Sequence, residues 1–241
     1  MSSLEVLKHA RNVFSIIKGK TLKSKHKIVE VFIEIAIIVF AISLSLYLER
    51  WREEKDDHHI ETRFLEGLKS DLGTDLKELR LSSARCNSMK QAAGYFLKPA
   101  IKINWSADSI NHYAYQLFHN VYFFPNSNRY ESLKSTGKLS VIVDKGLQDD
   151  IIDLYQTKIP DLQEQINFFN DFMNSSVKNY LIQNFKRDSD NNVLFDKSFF
   201  ISAQTKNILS FYGDLDDVQK RIQATIKTIE KILVRLDKYP K

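Results

Sequence analysis

Residues 31–48 read VFIEIAIIVFAISLSLYL, and Glu34 is the only charged residue among these eighteen. A helix of that length rises about 27 Å at roughly 1.5 Å per residue, close to the roughly 30 Å hydrocarbon core of a bilayer. The stretch therefore predicts a transmembrane helix, which we place at residues 28–50. The rest of the chain is interpreted by its position before or after this span.

Residues 1–27, before the span, are strongly basic. They contain seven Lys or Arg residues and one acid, whereas the remaining residues contain 28 basic and 29 acidic side chains. Because Lys and Arg accumulate in cytoplasmic flanks, this predicts a cytoplasmic N-terminus and an extracytoplasmic C-terminal domain. The charge lies in a tail with no recognition module, so no nucleic-acid partner is predicted.

The basic segment also carries apolar residues at helical spacing. This pattern predicts a cytoplasmic amphipathic arm over residues 1–27 that contacts anionic membrane lipid. A solvated tail that only sets the topology is the alternative. The apolar residues of the arm are Leu4, Leu7, Ala10, Phe14 and Ile17.

A cleaved signal peptide is the alternative to a permanent anchor. The triplet Ser43-Leu44-Ser45 resembles a cleavage site only loosely. The apolar run is also longer than the roughly 7–15 residues of a typical signal-peptide core. We therefore favour an uncleaved span.

Glu34 is an acid in the predicted lipid-facing segment, four residues after Glu30 and on the same helix face. An acid in hydrocarbon costs a few kcal/mol unless it snorkels to the head groups or finds a partner. Two interpretations of Glu34 are kept: it snorkels to the head groups, or it contacts a second helix. A proton relay is disfavoured, because it would need further polar groups in the span. Small residues four apart allow close helix approach, and aromatic residues anchor a span at the interface. The predicted membrane or partner contacts are Glu30, Glu34, Ala41, Ser45, Tyr47 and Trp51.

After the span, an apolar stripe at steps of three and four residues predicts one face of a long helix. The span and this stalk, residues 51–98, could form one helix from about residue 28 to 97, ended by Pro99. The chain has only seven Gly and four Pro, which favours long helices. The stripe comprises Ile60, Phe64, Leu68, Leu72, Leu76 and Leu79.

Residues 99–241 predict a helical domain that packs on the stalk, so the fold class is all-α. Ser106 is expected to cap a helix that continues to Pro125, and Gly137 to end a short helix that begins near Asn128. Asp144 should start the next helix, and Pro160 should kink or divide it. Residues 186–192 predict a loop, one short helix is expected within residues 198–212, and residues 215–239 predict a strongly amphipathic final helix.

The segment YESLKSTGKL, residues 130–139, resembles a motif of a family of uncharacterised single-span bacterial membrane proteins typical of Bacteroidota. The acid-bearing span with Glu30 and Glu34, followed by Trp51, resembles the same family. The resemblance implies an inner-membrane anchor with a helical periplasmic domain. It implies no reaction.

No motif for catalysis, cofactor binding or nucleotide binding is present, so we expect neither an enzyme nor a cofactor. His58 and His59, with Asp57 and Glu61, are interpreted as a solvated linker rather than a metal site, because ligating His usually needs a second convergent segment. Cys86 is the only cysteine and predicts a buried packing residue. Most of an aromatic run is expected in the core, and part of it is expected to form a partner surface or line a small pocket. Its candidate contact residues are Tyr113, Phe118, Tyr122, Phe123 and Phe124.

These features predict a membrane-anchored interaction or scaffold protein, an accessory subunit of a cell-envelope complex with a protein partner or a second copy of itself. The alternative is a single-span sensing or binding domain, which predicts a cavity of a few hundred Å³ with convergent polar groups.

Overall fold

The computed structural model describes residues 25–98, 106–184, 186–191, 193–194 and 197–239. These residues form an all-α structure apart from one pair of two-residue strands. The chain divides into two compact units, residues 1–59 and residues 60–241. Residues 1–24 of the predicted amphipathic arm lie outside the described residues, and so does Pro99. Residues 25–27 of the arm lie in the first helix.

The first helix, α1, runs without a break over Lys25–Leu97 and confirms the prediction of one helix through the span and the stalk. Its first part, up to His59, is the described portion of the first unit. Its later turns belong to the second unit. Four residues of the predicted stripe, Phe64, Leu68, Leu72 and Leu79, are buried there.

The remaining helices of the second unit pack with residues 60–97 around one hydrophobic core. They are α2 (Ala107–Gln116), α3 (Asn128–Ser135), α4 (Lys145–Asp153), α5 (Ile159–Phe172), α6 (Lys178–Asn184), α7 (Lys197–Ile201), α8 (Ala203–Ser210) and α9 (Leu215–Asp237). Short 3₁₀ turns occupy Lys138–Val141 and Phe211–Asp214. Strands β1 (Lys186–Arg187) and β2 (Val193–Leu194) form an antiparallel pair within the segment predicted as a loop and just after it.

Local capping signals gave several helix boundaries correctly. Ser106 accepts a hydrogen bond from the Ser109 N–H at the start of α2. Asp144 likewise accepts from the Leu147 N–H at the start of α4. Gly137 follows α3 with φ of 71°, a left-handed conformation that glycine adopts without a steric penalty.

The predicted helix from Ser106 to Pro125 is wrong in its second half. α2 ends at Gln116, and residues 119–127 have no helical structure. The Asn170 side chain accepts from the Val121 N–H at 3.1 Å and donates to the Val121 carbonyl at 2.7 Å. These bonds replace the helical ones and hold the non-helical aromatic segment against α5.

Polar side chains of α1 stabilise the other side of this segment. The carboxylate of Glu78 accepts from the Phe124 N–H, that of Asp75 accepts from the Asn126 N–H, and the Ser82 hydroxyl donates to the Tyr122 carbonyl. An irregular buried segment needs such partners, because an unpaired backbone group is costly.

Pro160 does not divide its helix. A π-helical turn over Leu154–Lys158 joins α4 to α5, and a second over Met173–Val177 joins α5 to α6. Proline lacks an N–H and its ring clashes with the carbonyl four residues earlier. The wider turn immediately before Pro160 accommodates it within continuous helical structure.

Candidate functional site

The predicted span is exposed in the single chain. The most apolar eighteen-residue stretch of α1 is long enough to cross a membrane, and none of it is buried. Length and composition alone do not separate an anchor from a signal sequence. A core helix of a soluble protein passes the same test but would be mostly buried.

The predicted membrane contacts all lie on this exposed part of α1. Tyr47 and Trp51 are 66% and 57% exposed, and Lys55 Nζ lies 5.8 Å from the centre of the Trp51 ring. The acids Glu30 and Glu34 and the small residues Ala41 and Ser45 are also exposed. All six side chains are therefore available for contact with lipid or another helix.

The aromatic run divides into exposed and core residues. Tyr122 and Phe124 are exposed, with ring centroids 6.2 Å apart and nearly parallel planes. Phe123 between them is buried, so exposed and buried side chains alternate along this non-helical segment. Tyr113 and Phe118 are half-buried and pack against the core. Of the predicted contact surface, the structure therefore leaves Tyr122 and Phe124 as the open pair.

A cleft of about 550 Å³, which we name the basic cleft, lies between α1 and the region of α3 within residues 60–241. It receives three basic side chains from separate places in the sequence, Arg63, Arg129 and Lys138. No acidic side chain lines it among the residues that the structure describes. The charged side chains that line the cleft are therefore all basic, and Asp71 beside it pairs with Arg129.

The rest of the basic cleft combines polar and apolar surface. Its uncharged polar side chains are Asn128, Ser132 and Thr136. Its apolar side chains are Ile60, Phe64 and Leu133, of which the last two are buried. The segment YESLKSTGKL contributes Ser132, Leu133, Thr136 and Lys138 to the lining.

Arg129 reaches the basic cleft across α1. Its Nε–H donates to Asp71 Oδ2 at 2.9 Å. The guanidinium lies over Gly67, where an added Cβ would come within 2.2 Å of Arg129 Cζ. Gly67 therefore supplies the space in which the Arg129 side chain crosses the helix.

A buried acid lies beside this region without a basic partner among the described residues. Asp75 is fully buried and accepts from the side-chain amide of Asn126 at 2.7 Å. Burial raises the pKa of Asp75, an effect that the hydrogen bonds from Asn126 partly oppose. Tyr155 donates to the Asn126 carbonyl, and its own pKa is raised, chiefly by burial and also by Asp75. We interpret this network as structural, because it holds the residue that precedes α3.

The surroundings of two further titratable groups, Cys86 and Lys178, indicate a structural role. Burial raises the pKa of the Cys86 thiol to about 12, so it is protonated at neutral pH and suits the packing role predicted for it. Burial lowers the pKa of Lys178, whose ammonium donates to Asn120 and Asn174. No group of three or more His, Cys, Asp or Glu residues arranged to hold a metal occurs in the described part of the chain.

Comparison of the chain with protein-family models, curated proteins and solved structures gives no match. The family resemblance of residues 130–139 stays a prediction.

Sequence reasoning did not find the basic cleft. Its basic side chains come from α1, α3 and the 3₁₀ turn after α3, up to 75 positions apart in the sequence. The usable signal was the density of polar residues in YESLKSTGKL, a segment otherwise interpreted only as a short helix and its stop. Its juxtaposition with Arg63 depends on tertiary packing.

Proposed function

We propose that this chain is a membrane-anchored helical interaction protein of the bacterial inner membrane, with a cytoplasmic N-terminus and a periplasmic domain. The observation that carries the proposal is an apolar stretch with no buried part, on a helix whose later turns contribute to a packed core. Lipid is the solvent that such a surface requires, because water would leave a large apolar area exposed.

The continuity of α1 favours an anchor over a cleaved signal. The helix continues through Ser43–Ser45, the nearest resemblance to a cleavage site, into the residues that form the core of the second unit. A signal peptide usually has a shorter apolar core, of about 7–15 residues, followed directly by its cleavage site.

The proposed mechanism is positional. The span restricts the helical domain to the membrane and raises its local concentration for a partner in the same envelope compartment. Two surfaces are available for that partner: the span, with Glu34, Ala41 and Ser45, and the exposed pair Tyr122 and Phe124. The domain would act as an accessory subunit or scaffold, alone or as a homo-oligomer.

Affinity purification of the tagged full-length chain in a mild detergent tests the proposal, combined with crosslinking in intact membranes. We expect a stoichiometric partner or a second copy in the crosslinked product. Recovery of the monomer alone by both methods would contradict the interaction role.

A ligand-binding or sensing domain is the second candidate function, and the basic cleft is the specific observation that favours it. A volume of about 550 Å³ lies in the range of small-molecule sites. The convergence of Arg63, Arg129 and Lys138 on an apolar surface supplies both charge and hydrophobic contact.

A further inference from the structure

We propose that the basic cleft binds a phosphate ester carried on an apolar body. This inference deepens the second candidate function and rests on it, because it names the ligand class of the same cleft. The main support is that three basic side chains from separate segments converge on one cleft, which is also lined by buried apolar residues.

The unpaired charge of Arg63 favours an anionic ligand in the cleft. Arg63 makes no hydrogen bond or ion pair with any residue that the structure describes, although most surface arginines of the second unit are paired with acids. Asp71 offsets part of the charge of Arg129 through Nε, whereas the charge of Arg63 has no described acid beside it, and an anionic ligand would compensate it. Arginine is the side chain best suited to phosphate, because its planar donors match two phosphate oxygens at once.

Arg129 is oriented for such a ligand. Asp71 accepts from Nε, which leaves the two terminal amino groups without a hydrogen-bond partner among the described residues. The close approach over Gly67 fixes the path of this side chain across α1. A guanidinium held through Nε loses less conformational freedom when its remaining donors bind an anion.

The apolar surface selects an ester over free phosphate. Ile60 is half-buried and keeps apolar surface open to a ligand, whereas Phe64 and Leu133, which also line the cleft, are only 5% and 7% exposed. The Ser132 hydroxyl, which donates to no described residue, is a further donor at the edge of this surface. Inorganic phosphate would use the charges and leave the apolar contacts unmade.

Two sources supply this chemistry: the head group of an anionic phospholipid, and a soluble phosphate ester. The full-length protein in neutral detergent is titrated with dihexanoyl phosphatidic acid, and dihexanoyl phosphatidylcholine serves as the zwitterionic control. Glycerol 3-phosphate and inorganic phosphate are then added as competitors. Calorimetry reports affinity and stoichiometry.

We expect saturable binding of phosphatidic acid at one site per chain, at least about ten-fold tighter than binding of phosphatidylcholine, and weaker at high ionic strength. Failure of glycerol 3-phosphate to compete would assign the ligand to lipid, whereas competition at similar concentration would assign it to a soluble ester. Both outcomes support the phosphate chemistry. Equal binding of the two lipids, or no saturable binding, would overturn it.

Variants locate the site. Arg63→Gln removes a side chain with no described partner and should not affect folding, and Arg63→Gln combined with Arg129→Gln should weaken binding by at least about ten-fold. Gly67→Ala retains every charge but displaces the Arg129 guanidinium, and should also weaken binding. Arg80→Gln and Arg221→Gln change arginines paired with Glu230 and Asp161, and are the matched controls. Unchanged affinity in both Arg63→Gln and Gly67→Ala would place the ligand elsewhere.

This experiment is independent of topology. A chain that binds phosphatidic acid but has a cytoplasmic C-terminus would overturn the proposed orientation and leave the ligand site intact. A correctly oriented chain that binds no phosphate ester would overturn the ligand site alone.

Discussion

Asp75 illustrates how single polar residues of α1 hold the rest of the molecule. Its carboxylate is fully buried, and both of its described donors belong to Asn126. Glu61, which the sequence wrongly placed in a solvated linker, is also buried, and it accepts from the Val143 N–H and from the Tyr239 hydroxyl. Each acid compensates for its own desolvation by pairing a backbone group that has no helical partner.

The first prediction concerns the pH dependence contributed by Asp75. Its pKa is raised by burial, so its stabilising contribution is complete below the unfolded pKa of about 3.9 and is lost as pH rises through the folded pKa. Relative to Asp75→Asn, the wild-type chain should therefore gain stability as pH falls from about 7 to 4. Thermal unfolding of both proteins in neutral detergent measures this difference.

Asp149→Asn is the control for that measurement, since it removes one exposed carboxylate from α4. A wild-type advantage over Asp75→Asn that shrinks as the pH falls would contradict the assigned cause.

The second prediction concerns glycines within α1. A Cβ at Gly73 meets nothing within 4 Å, so Gly73→Ala should raise the free energy of unfolding by about 1 kcal/mol through helix propensity. Gly67→Ala receives the same benefit but must move the Arg129 guanidinium away from Asp71. Its gain should therefore be smaller. Denaturant unfolding of both variants tests this order, and a larger gain for Gly67→Ala would contradict the role given to Gly67.

At the scale of elements, the sequence predicted helices whose signals are local. The stripe from Ile60 to Leu79 identified the buried face of α1, and Ser106, Gly137 and Asp144 marked helix boundaries. Residues 119–127 were wrongly predicted because their partners are distant. Asn170 is 49 positions from Val121, and Asp75 is 51 positions from Asn126.

The third prediction tests that tertiary explanation. Asn170→Ala leaves the buried Val121 backbone without either of its bonds from Asn170, which should cost about 1–3 kcal/mol of stability. Asn179→Ala is the matched control on α6, where the exposed amide only donates to the Ser175 carbonyl of the preceding turn. Chemical denaturation compares the two, and equal effects would contradict the account.

The fourth prediction concerns the span. If Glu34 contacts another helix, Glu34→Gln should reduce co-purification of the partner or second copy several-fold, because the pairing of an acid in lipid is lost. Quantitative mass spectrometry of the purified complex measures the change. Glu53→Gln, an exposed acid of the same helix beyond the span, is the control, and unchanged assembly in Glu34→Gln would favour snorkelling.

For the whole molecule, the sequence predicted the all-α class and the long first helix from composition and periodicity alone. It could not predict the basic cleft, because no local pattern records that Arg63 and Lys138 share a surface. It also could not divide the aromatic run, since exposure of Tyr122 and burial of Phe123 follow from a non-helical backbone fixed by distant side chains.

The proposed function depends on one claim: residues 31–48 cross a membrane, with the basic N-terminus inside. Alkaline phosphatase, which is active only outside the cytoplasm, and green fluorescent protein, which fluoresces inside, are each fused after Lys241 and expressed in bacteria. The account predicts phosphatase activity, no fluorescence, and retention of the full-length chain in carbonate-washed membranes. A fluorescent, phosphatase-inactive pair of fusions, or release of the chain without detergent, would contradict it.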